Sequence, residues 1–221
     1  QVIITVKDLV SRPYIDLSLD IMKNFGYRIE QEAYRRFVIY PRARNDRNID
    51  FHVEADWSQA AMLLVAAATA GESVSIQGLD MNSTQADKAI LSVLSDAFAQ
   101  YIIGEGEIIV EGGQPLEAFR FDATHCPDLF PPLVALAAAC RGTSYIEGTD
   151  RLVHKESNRA ESLIDVFSKL GVSIQQSGNT LAQIAQAAGV ALNDLAQGNC
   201  IADVNRIVTG QRLRLPKEII L

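Results

Sequence analysis

The sequence predicts an α/β (α+β) fold built from repeated β-α-β-α-β-β units. Two segments, residues 51–98 and 119–171, follow the same order of patterns. Each has an alternating strand, an Ala-rich helix, a short strand that ends at Gly78 or Gly148, a loop and an amphipathic helix. Self-similarity at a fixed period indicates supersecondary units that stack on one another.

The amphipathic helix of each unit has apolar residues at steps of three and four, which is the spacing of one helix face. A partial third copy near the start of the chain has the same spacing. Gly26 and Gly171 follow two of these helices, and we expect both to cap them in the left-handed conformation. The apolar positions are Ile15, Leu19, Met22 and Phe25, then Leu91, Leu94 and Phe98, then Ala160, Leu163, Ile164, Phe167 and Leu170.

The composition excludes several classes of protein. The 221 residues have a net charge of −7 and no Lys/Arg-rich block, which argues against nucleic-acid binding. No apolar run reaches the length of a membrane span. Three widely spaced cysteines predict reduced thiols in a cytoplasmic protein, with neither a zinc site nor a disulfide framework. Since the chain begins at Gln1 within a strand-like run, we expect it to be part of a longer protein.

The stretch "VHKESNR" concentrates charge just after a loop. Lys155 and Arg159 share a helix face, and Glu156 lies beside them. Two interpretations fit: a solvated helix end, or a site that holds an anionic substrate. The equivalent loop of the earlier unit, "NSTQADK", is polar but not strongly cationic, and this divergence favours a specialised site.

Five stretches resemble the enolpyruvyl transferases, specifically the EPSP synthases, over roughly residues 2–178. They are "DLVSRPYIDLSLDIMKNFG", "FHVEADWSQAAMLLVAAA", "NSTQADKAILSVL", "CPDLFPPLVALAA" and "RLVHKESNRAESLIDVFSKLG". The resemblance implies two domains of three units each, with the active site between them. Residues 1–50 would finish one domain and residues 51–175 would form about two units of the other. The rest of the enzyme would then lie outside this chain, and another chain could supply it.

The same resemblance implies enolpyruvyl transfer from phosphoenolpyruvate to shikimate 3-phosphate, without a metal or cofactor. Both substrates are anions, which cationic side chains neutralise, and a hydroxyl proton has to be removed. Asp128 and Glu156 would be catalytic, and Arg159 would bind phosphoenolpyruvate. The residues implied for shikimate 3-phosphate are Ser11, Tyr14 and Lys155. Arg12 would also be substrate-binding, although it stands where lysine is also common in the family. Simpler alternatives remain open: Ser11 and Asp128 as helix N-caps, and Tyr14 as a packing residue.

The C-terminal segment resembles a different family. The pieces "SGNTLAQIA", "GVALNDLAQGN" and "IVTGQRLRLP" are similar to a LysM module of β-α-α-β order, at about residues 172–218, so we expect a separate domain over residues 176–221. LysM modules bind N-acetylglucosamine polymers such as peptidoglycan or chitin. The implied groove consists of Gly178, Asn179, Thr180, Asn199 and Ile201. The alternatives are a carbohydrate-binding protein, or a chimera in which this module only packs.

Overall fold

The computed structural model describes residues 1–7, 9, 11–42, 49–152, 158–175, 185 and 189–202, without the side chain of Asp150. In these residues the helices are α1 Arg12–Asn24, α2 Trp57–Ala70, α3 Ile90–Asp96, α4 Phe130–Ala139, α5 Arg159–Lys169 and α6 Leu192–Gly198. The strands are β1 Val2–Thr5, β2 Ile29–Glu32, β3 Arg36–Ile39, β4 Val74–Gln77, β5 Gln100–Ile103, β6 Glu107–Glu111, β7 Arg120–Asp122 and β8 Tyr145–Glu147. Short 3₁₀ turns span Ala86–Ala89, Pro127–Leu129 and Thr149–Leu152.

The chain divides into two compact units, Gln1–Val166 and Phe167–Leu221. The division falls within α5. The domain limits expected from the sequence, at residues 50 and 175, remain predictions. Among the described residues, none of the helices is both long and apolar enough to span a lipid bilayer.

The first unit contains small sheets of different type. β3 lies between β1 and β2 in an antiparallel sheet, and Ile39 faces both Val2 and Ile29. β6 lies between β4 and β5 in a second antiparallel sheet. β7 and β8 pair in parallel, with Phe121 opposite Ile146. The arrangement is the mixed α/β class that the sequence predicts.

The two predicted repeats are recognisable in the first unit. Their Ala-rich helices, α2 and α4, pack against each other, and Leu64 and Leu133 are fully buried in the shared core. β4 and β8 end just before Gly78 and Gly148, which have φ angles of 84° and 93°. Because only glycine adopts such angles without strain, each short strand can end in a sharp turn.

The glycines that follow α1 and α5 are in the expected conformation. Gly26 and Gly171 both have a φ angle of 80°, in the left-handed region. Their amides donate hydrogen bonds to the carbonyls of Lys23 and Ser168, which lie in the last turns of the helices. The predicted caps are therefore confirmed.

Two details of the prediction are wrong. Residues 51–56 form no strand, although the Ala55 amide donates to the Gly78 carbonyl at 3.2 Å, and Val53 is 77% exposed. Phe98 was expected on the buried face of its helix but is 65% exposed. It lies after the end of α3 with a φ angle of 60°, and its neighbours Ala97 and Ala99 are buried instead. The apolar spacing of a helix predicts burial only up to the residue where the helix ends. Leu170 is a second residue expected on a buried face that lies after the end of its helix, α5, and is exposed.

We predict that Gly148→Ala lowers the free energy of unfolding by about 3 kcal/mol or more. A Cβ at residue 148 would lie 2.5 Å from the Thr124 backbone nitrogen, and the positive φ angle adds further strain. The control is Gly106→Ala, which has a φ angle of 79° but no atom within 4 Å of the added Cβ, and it should cost only about 1 kcal/mol. Urea unfolding of both variants measures the difference; equal losses would contradict the prediction.

Candidate active site

Polar and charged residues from distant parts of the sequence lie close together in the first unit, at the starts of α1 and α5 and in the three 3₁₀ turns. Ser11 precedes α1 and Tyr14 lies in its first turn, while Arg159 is the first residue of α5. The 3₁₀ turns carry the others: Asp87 in Ala86–Ala89, Asp128 in Pro127–Leu129 and Arg151 in Thr149–Leu152. α2 packs against the first two turns, and the second turn packs against the third.

The Tyr14 hydroxyl lies between two carboxylates. It is 3.2 Å from Asp87 Oδ2 and 3.2 Å from Asp128 Oδ2. Burial of the ring, followed by the two negative charges, raises the pKa of Tyr14 well above its ordinary value. Tyr14 is therefore neutral, and it is more than the packing residue that its sequence context allowed.

Asp128 also pairs with a cation. Arg159 Nη1 donates to Asp128 Oδ1 at 2.8 Å, and both side chains are about one-third exposed. The N-cap of α4 is Leu129, so Asp128 does not cap that helix. An arginine at this distance favours the charged form of the carboxyl group.

Asp87 is the most buried charged residue of the cluster, with only 4% of its surface exposed. Its Oδ1 atom has no hydrogen-bond partner among the described residues. Burial raises the pKa of Asp87 to about 6; the nearby Asp128 and Asp56 also raise it, while the hydrogen bond from Tyr14 lowers it. The protonation state of Asp87 therefore changes close to neutral pH.

Ser11 has an unusual backbone and does not act as a helix cap through its side chain. Its φ and ψ angles are 60° and 45°, and its hydroxyl makes no capping hydrogen bond. Instead the Ser11 Oγ atom accepts a hydrogen bond of 2.6 Å from Arg151 Nη2. The Nε atom of Arg151 is buried and has no hydrogen-bond partner within the described part of the chain. This places beside Ser11 a guanidinium group with one donor that has no partner among the described residues.

The structure brings together Ser11, Tyr14, Asp128 and Arg159 from the predicted set, but not Arg12. The Arg12 guanidinium lies 5.1 Å from the centre of the Tyr34 ring, and its substrate contact stays a prediction. Lys155, Glu156, Gly178, Asn179 and Thr180 lie outside the described residues. In the second unit, Asn199 Nδ2 donates to the Leu195 carbonyl at 2.8 Å, and Ile201 packs against a small apolar cluster.

Sequence reasoning missed Asp87 and Arg151. Arg151 is the first residue of "RLVHKESNR", a motif that we used to recognise the family without assigning this arginine a role. Asp87 lies in a loop, "NSTQADK", that resembles an ordinary solvated turn. No local pattern marks it, because its hydrogen-bond partner Tyr14 lies 73 positions away in the sequence. The described residues contain no group of three or more His, Cys, Asp or Glu side chains placed to hold a metal ion.

A family model described as EPSP synthase (3-phosphoshikimate 1-carboxyvinyltransferase) matches residues 2–203, which is most of the chain. The chain belongs to the EPSP synthase family. The match extends past residue 178, where the similarity read from the motifs was expected to end. It therefore includes α6 and the first residues after it.

Curated relatives with the name 3-phosphoshikimate 1-carboxyvinyltransferase agree with this assignment. The chain is 34% identical over 174 residues to the protein from Clostridium novyi, covering 79% of this chain and 39% of the relative. It is 36% identical over 173 residues to the protein from Aeropyrum pernix, covering 78% of this chain and 40% of the relative. The chain thus matches about two fifths of the length of these relatives.

Solved structures show the same fold. An EPSP synthase from Acinetobacter baumannii superposes with a TM-score of 0.54 at 22% identity, over 67% of this chain and 35% of that one. The enolpyruvyl transferase NikO from Streptomyces tendae gives a TM-score of 0.51 at 20% identity, over 65% and 34%. At these identities the comparison establishes the architecture alone.

We predict that Asp87 makes the chain less stable as the pH rises. The folded pKa of about 6 lies above the ordinary value of 3.8, so the folded state binds more protons than the unfolded state between these values. The contribution of Asp87 to stability is complete below pH 3.8, falls as the pH rises to about 6 and is level above that. The change is about 2–3 kcal/mol.

Urea unfolding from pH 4 to pH 7 measures this slope. Asp87→Asn should remove the contribution, and Asp96→Asn, an exposed carboxylate of α3, should leave the slope as it is. Parallel stability curves for the native chain and Asp87→Asn would contradict the prediction.

Proposed function

We propose that this chain supplies part of the active site for enolpyruvyl transfer from phosphoenolpyruvate to shikimate 3-phosphate, as the names of its relatives suggest. The observation that carries the proposal is the meeting of Tyr14, Asp128 and Arg159. These residues come from three separate motifs of the family. A carboxylate with an arginine and a tyrosine hydroxyl fits a site for anion binding and proton transfer.

The two arginines of the cluster suit the charges of the substrates. Phosphate and carboxylate groups are bound best by the planar guanidinium group, which donates two parallel hydrogen bonds. Arg151 has a donor without a partner among the described residues, and it donates to Ser11 Oγ, the group assigned to shikimate 3-phosphate by resemblance. We therefore add Arg151 to the proposed substrate-binding residues, on the same side as Ser11.

Asp128 is the proposed base. The 5-hydroxyl oxygen of shikimate 3-phosphate forms a bond to C2 of phosphoenolpyruvate as the carbon–carbon double bond opens, while the hydroxyl proton passes to the carboxylate and the methylene carbon gains a proton. Loss of a proton from the resulting methyl group, with departure of inorganic phosphate from C2, then restores the double bond in the product. Arg159 and Tyr14 stabilise the ionised form of Asp128, so that it can accept the hydroxyl proton. We keep Glu156 as the proposed partner for the carbon proton, on resemblance alone.

We predict that the chain alone has no measurable turnover. It covers 39–40% of the relatives' length, so most of an EPSP synthase is supplied by residues that are not in it. Lost electrostatic contacts cost about 3–4 kcal/mol each in transition-state stabilisation, and several together remove many decades of rate. An assay of phosphate release with both substrates checks this, and ordinary turnover would show that the chain is sufficient.

We predict that Arg159→Lys weakens phosphoenolpyruvate binding by about tenfold or more. Lysine keeps the charge but loses the planar pair of donors, and the loss of a charged hydrogen bond costs about 1.5–3 kcal/mol. Arg120→Lys is the matched control, because Arg120 forms an exposed ion pair with Glu147 away from the cluster. Calorimetric titration of phosphoenolpyruvate, with shikimate 3-phosphate present, compares the two variants with the native chain. Equal affinities would remove Arg159 from the proposed site.

A second candidate function is carbohydrate binding through the proposed LysM-like module. The observation that favours it is a separate compact unit with its own apolar cluster around Leu195 and Ala196. The EPSP synthase match reaches residue 203 and includes Asn199 and Ile201, which weighs against a separate origin for this part. We predict that the chain is retained on chitin or peptidoglycan but not on cellulose if the module is functional. Equal recovery from all three polymers would reject this function.

A further inference from the structure

The Tyr14 hydroxyl has one proton and two carboxyl neighbours at the same distance. Asp87 Oδ2 and Asp128 Oδ2 both lie 3.2 Å from it. A phenol can donate one hydrogen bond, so the second contact is favourable only if that carboxyl group itself donates to the phenol oxygen. One of the two aspartates must therefore carry a proton for both contacts to be hydrogen bonds.

The surroundings of the two aspartates decide which one carries it. Asp128 is paired with Arg159 at 2.8 Å and is one-third exposed, both of which favour its charged form. Asp87 is 4% exposed, and its Oδ1 atom has no hydrogen-bond partner among the described residues. A buried carboxylate in that position is costly, whereas a protonated carboxyl group needs only one acceptor.

We propose that Asp87 is a positioning residue which, when protonated, donates to the Tyr14 hydroxyl oxygen and so directs the Tyr14 proton to Asp128. The hydrogen bonds then form a series: Asp87 donates to Tyr14, and Tyr14 donates to the Asp128 carboxylate. Arg159 donates to the other oxygen of the same carboxylate. Asp87 therefore acts on Asp128 through Tyr14, in addition to the direct repulsion between the two charges. The importance of this arrangement for catalysis rests on the proposed function, while the arrangement itself does not.

The groups that face Asp87 from neighbouring elements support the protonated form. Asp128 from the turn before α4 and Asp56 from the start of α2 are both negative and raise its pKa, and Tyr14 from α1 is neutral. Burial raises the pKa of the nearby Cys126 thiol to about 12, so this group adds no charge of its own. As the pH rises through about 6, Asp87 loses its proton and becomes a second acceptor for Tyr14.

The consequence is a coupling between the titrations of Asp87 and Asp128, which are linked by hydrogen bonds through Tyr14. When Asp87 is protonated, the Tyr14 proton is committed to Asp128. When Asp87 is ionised, the two carboxylates compete for that proton, and Asp128 loses part of its stabilisation. The two groups should then titrate as a linked pair.

Carbon-13 NMR of the chain with labelled aspartate carboxyl groups tests the coupling from pH 3 to pH 8. We expect the Asp128 signal to show a second inflection at the pH where Asp87 titrates. Asp87→Asn should abolish that inflection, while Asp96→Asn should leave it unchanged. An Asp128 signal with a single transition in the native chain, or a second inflection that persists in Asp87→Asn, would overturn the proposal.

Tyr14→Phe provides a second variant, because Tyr14 is the middle group in the series of hydrogen bonds from Asp87 to Asp128. Because phenylalanine removes the donor, we expect the pKa of Asp128 to rise and its second inflection to shrink, although Asp87 is still present. An unchanged inflection in Tyr14→Phe would mean that the coupling does not pass through Tyr14, and would also overturn the proposal. Since Asp87→Asn and Tyr14→Phe change different elements, misfolding of one leaves the other as a test.

Calorimetric titration of shikimate 3-phosphate separates this inference from the proposed function. We expect the affinity of the native chain to differ between pH 5 and pH 7.5 by a larger factor than that of Asp87→Asn, with ligand protonation common to both. The same factor for both would overturn a role of Asp87 in substrate binding. Absence of binding at both pH values would reject the proposed function, and the NMR titration would still decide the positioning role.

Discussion

The close packing of α2 against α4 is the constraint on which the rest of the first unit depends. Both helices are rich in alanine, and small side chains let helix backbones approach closely. Leu64 and Leu133 fill the contact and are fully buried. The turns that carry Asp87 and Asp128 both pack against α2, so this helix holds the two turns in the same region of the first unit.

The two repeats carry charged residues at the same separation in the sequence. Asp56 and Asp128 are 72 positions apart, and so are Asp87 and Arg159. In the later repeat the pair is Asp128 with Arg159, which attract each other. In the earlier repeat the pair is two aspartates: Asp56 caps α2 by accepting from the Ser58 amide, and Asp87 is buried. One framework thus gives a stable ion pair in one copy and a proton-sensitive carboxyl group in the other.

Sequence reasoning found what is encoded locally. The resemblance of short motifs to the EPSP synthases assigned Tyr14, Asp128 and Arg159 to the site, while apolar periodicity predicted the amphipathic helices that begin near Tyr14 and Arg159. The hydrogen bonds of Tyr14 join residues 73 and 114 positions apart, and no local pattern contains that information. Asp87 was missed for this reason, and Phe98 was misplaced because a helical pattern does not show where its helix ends.

Burial of Asp87 is unfavourable for folding, and the rest of the core must compensate for it. An apolar residue of similar size would remove the desolvation cost and the Oδ1 atom that has no hydrogen-bond partner in the described part of the chain, so stability alone does not explain an aspartate at this position. Its one hydrogen-bonded side-chain neighbour among the described residues is Tyr14, which links it to Asp128. Asp87 is unfavourable for folding, yet its hydrogen bond to Tyr14 links it to the proposed base. Such a residue is expected where the functional site, and not the stability of the fold, determines the amino acid.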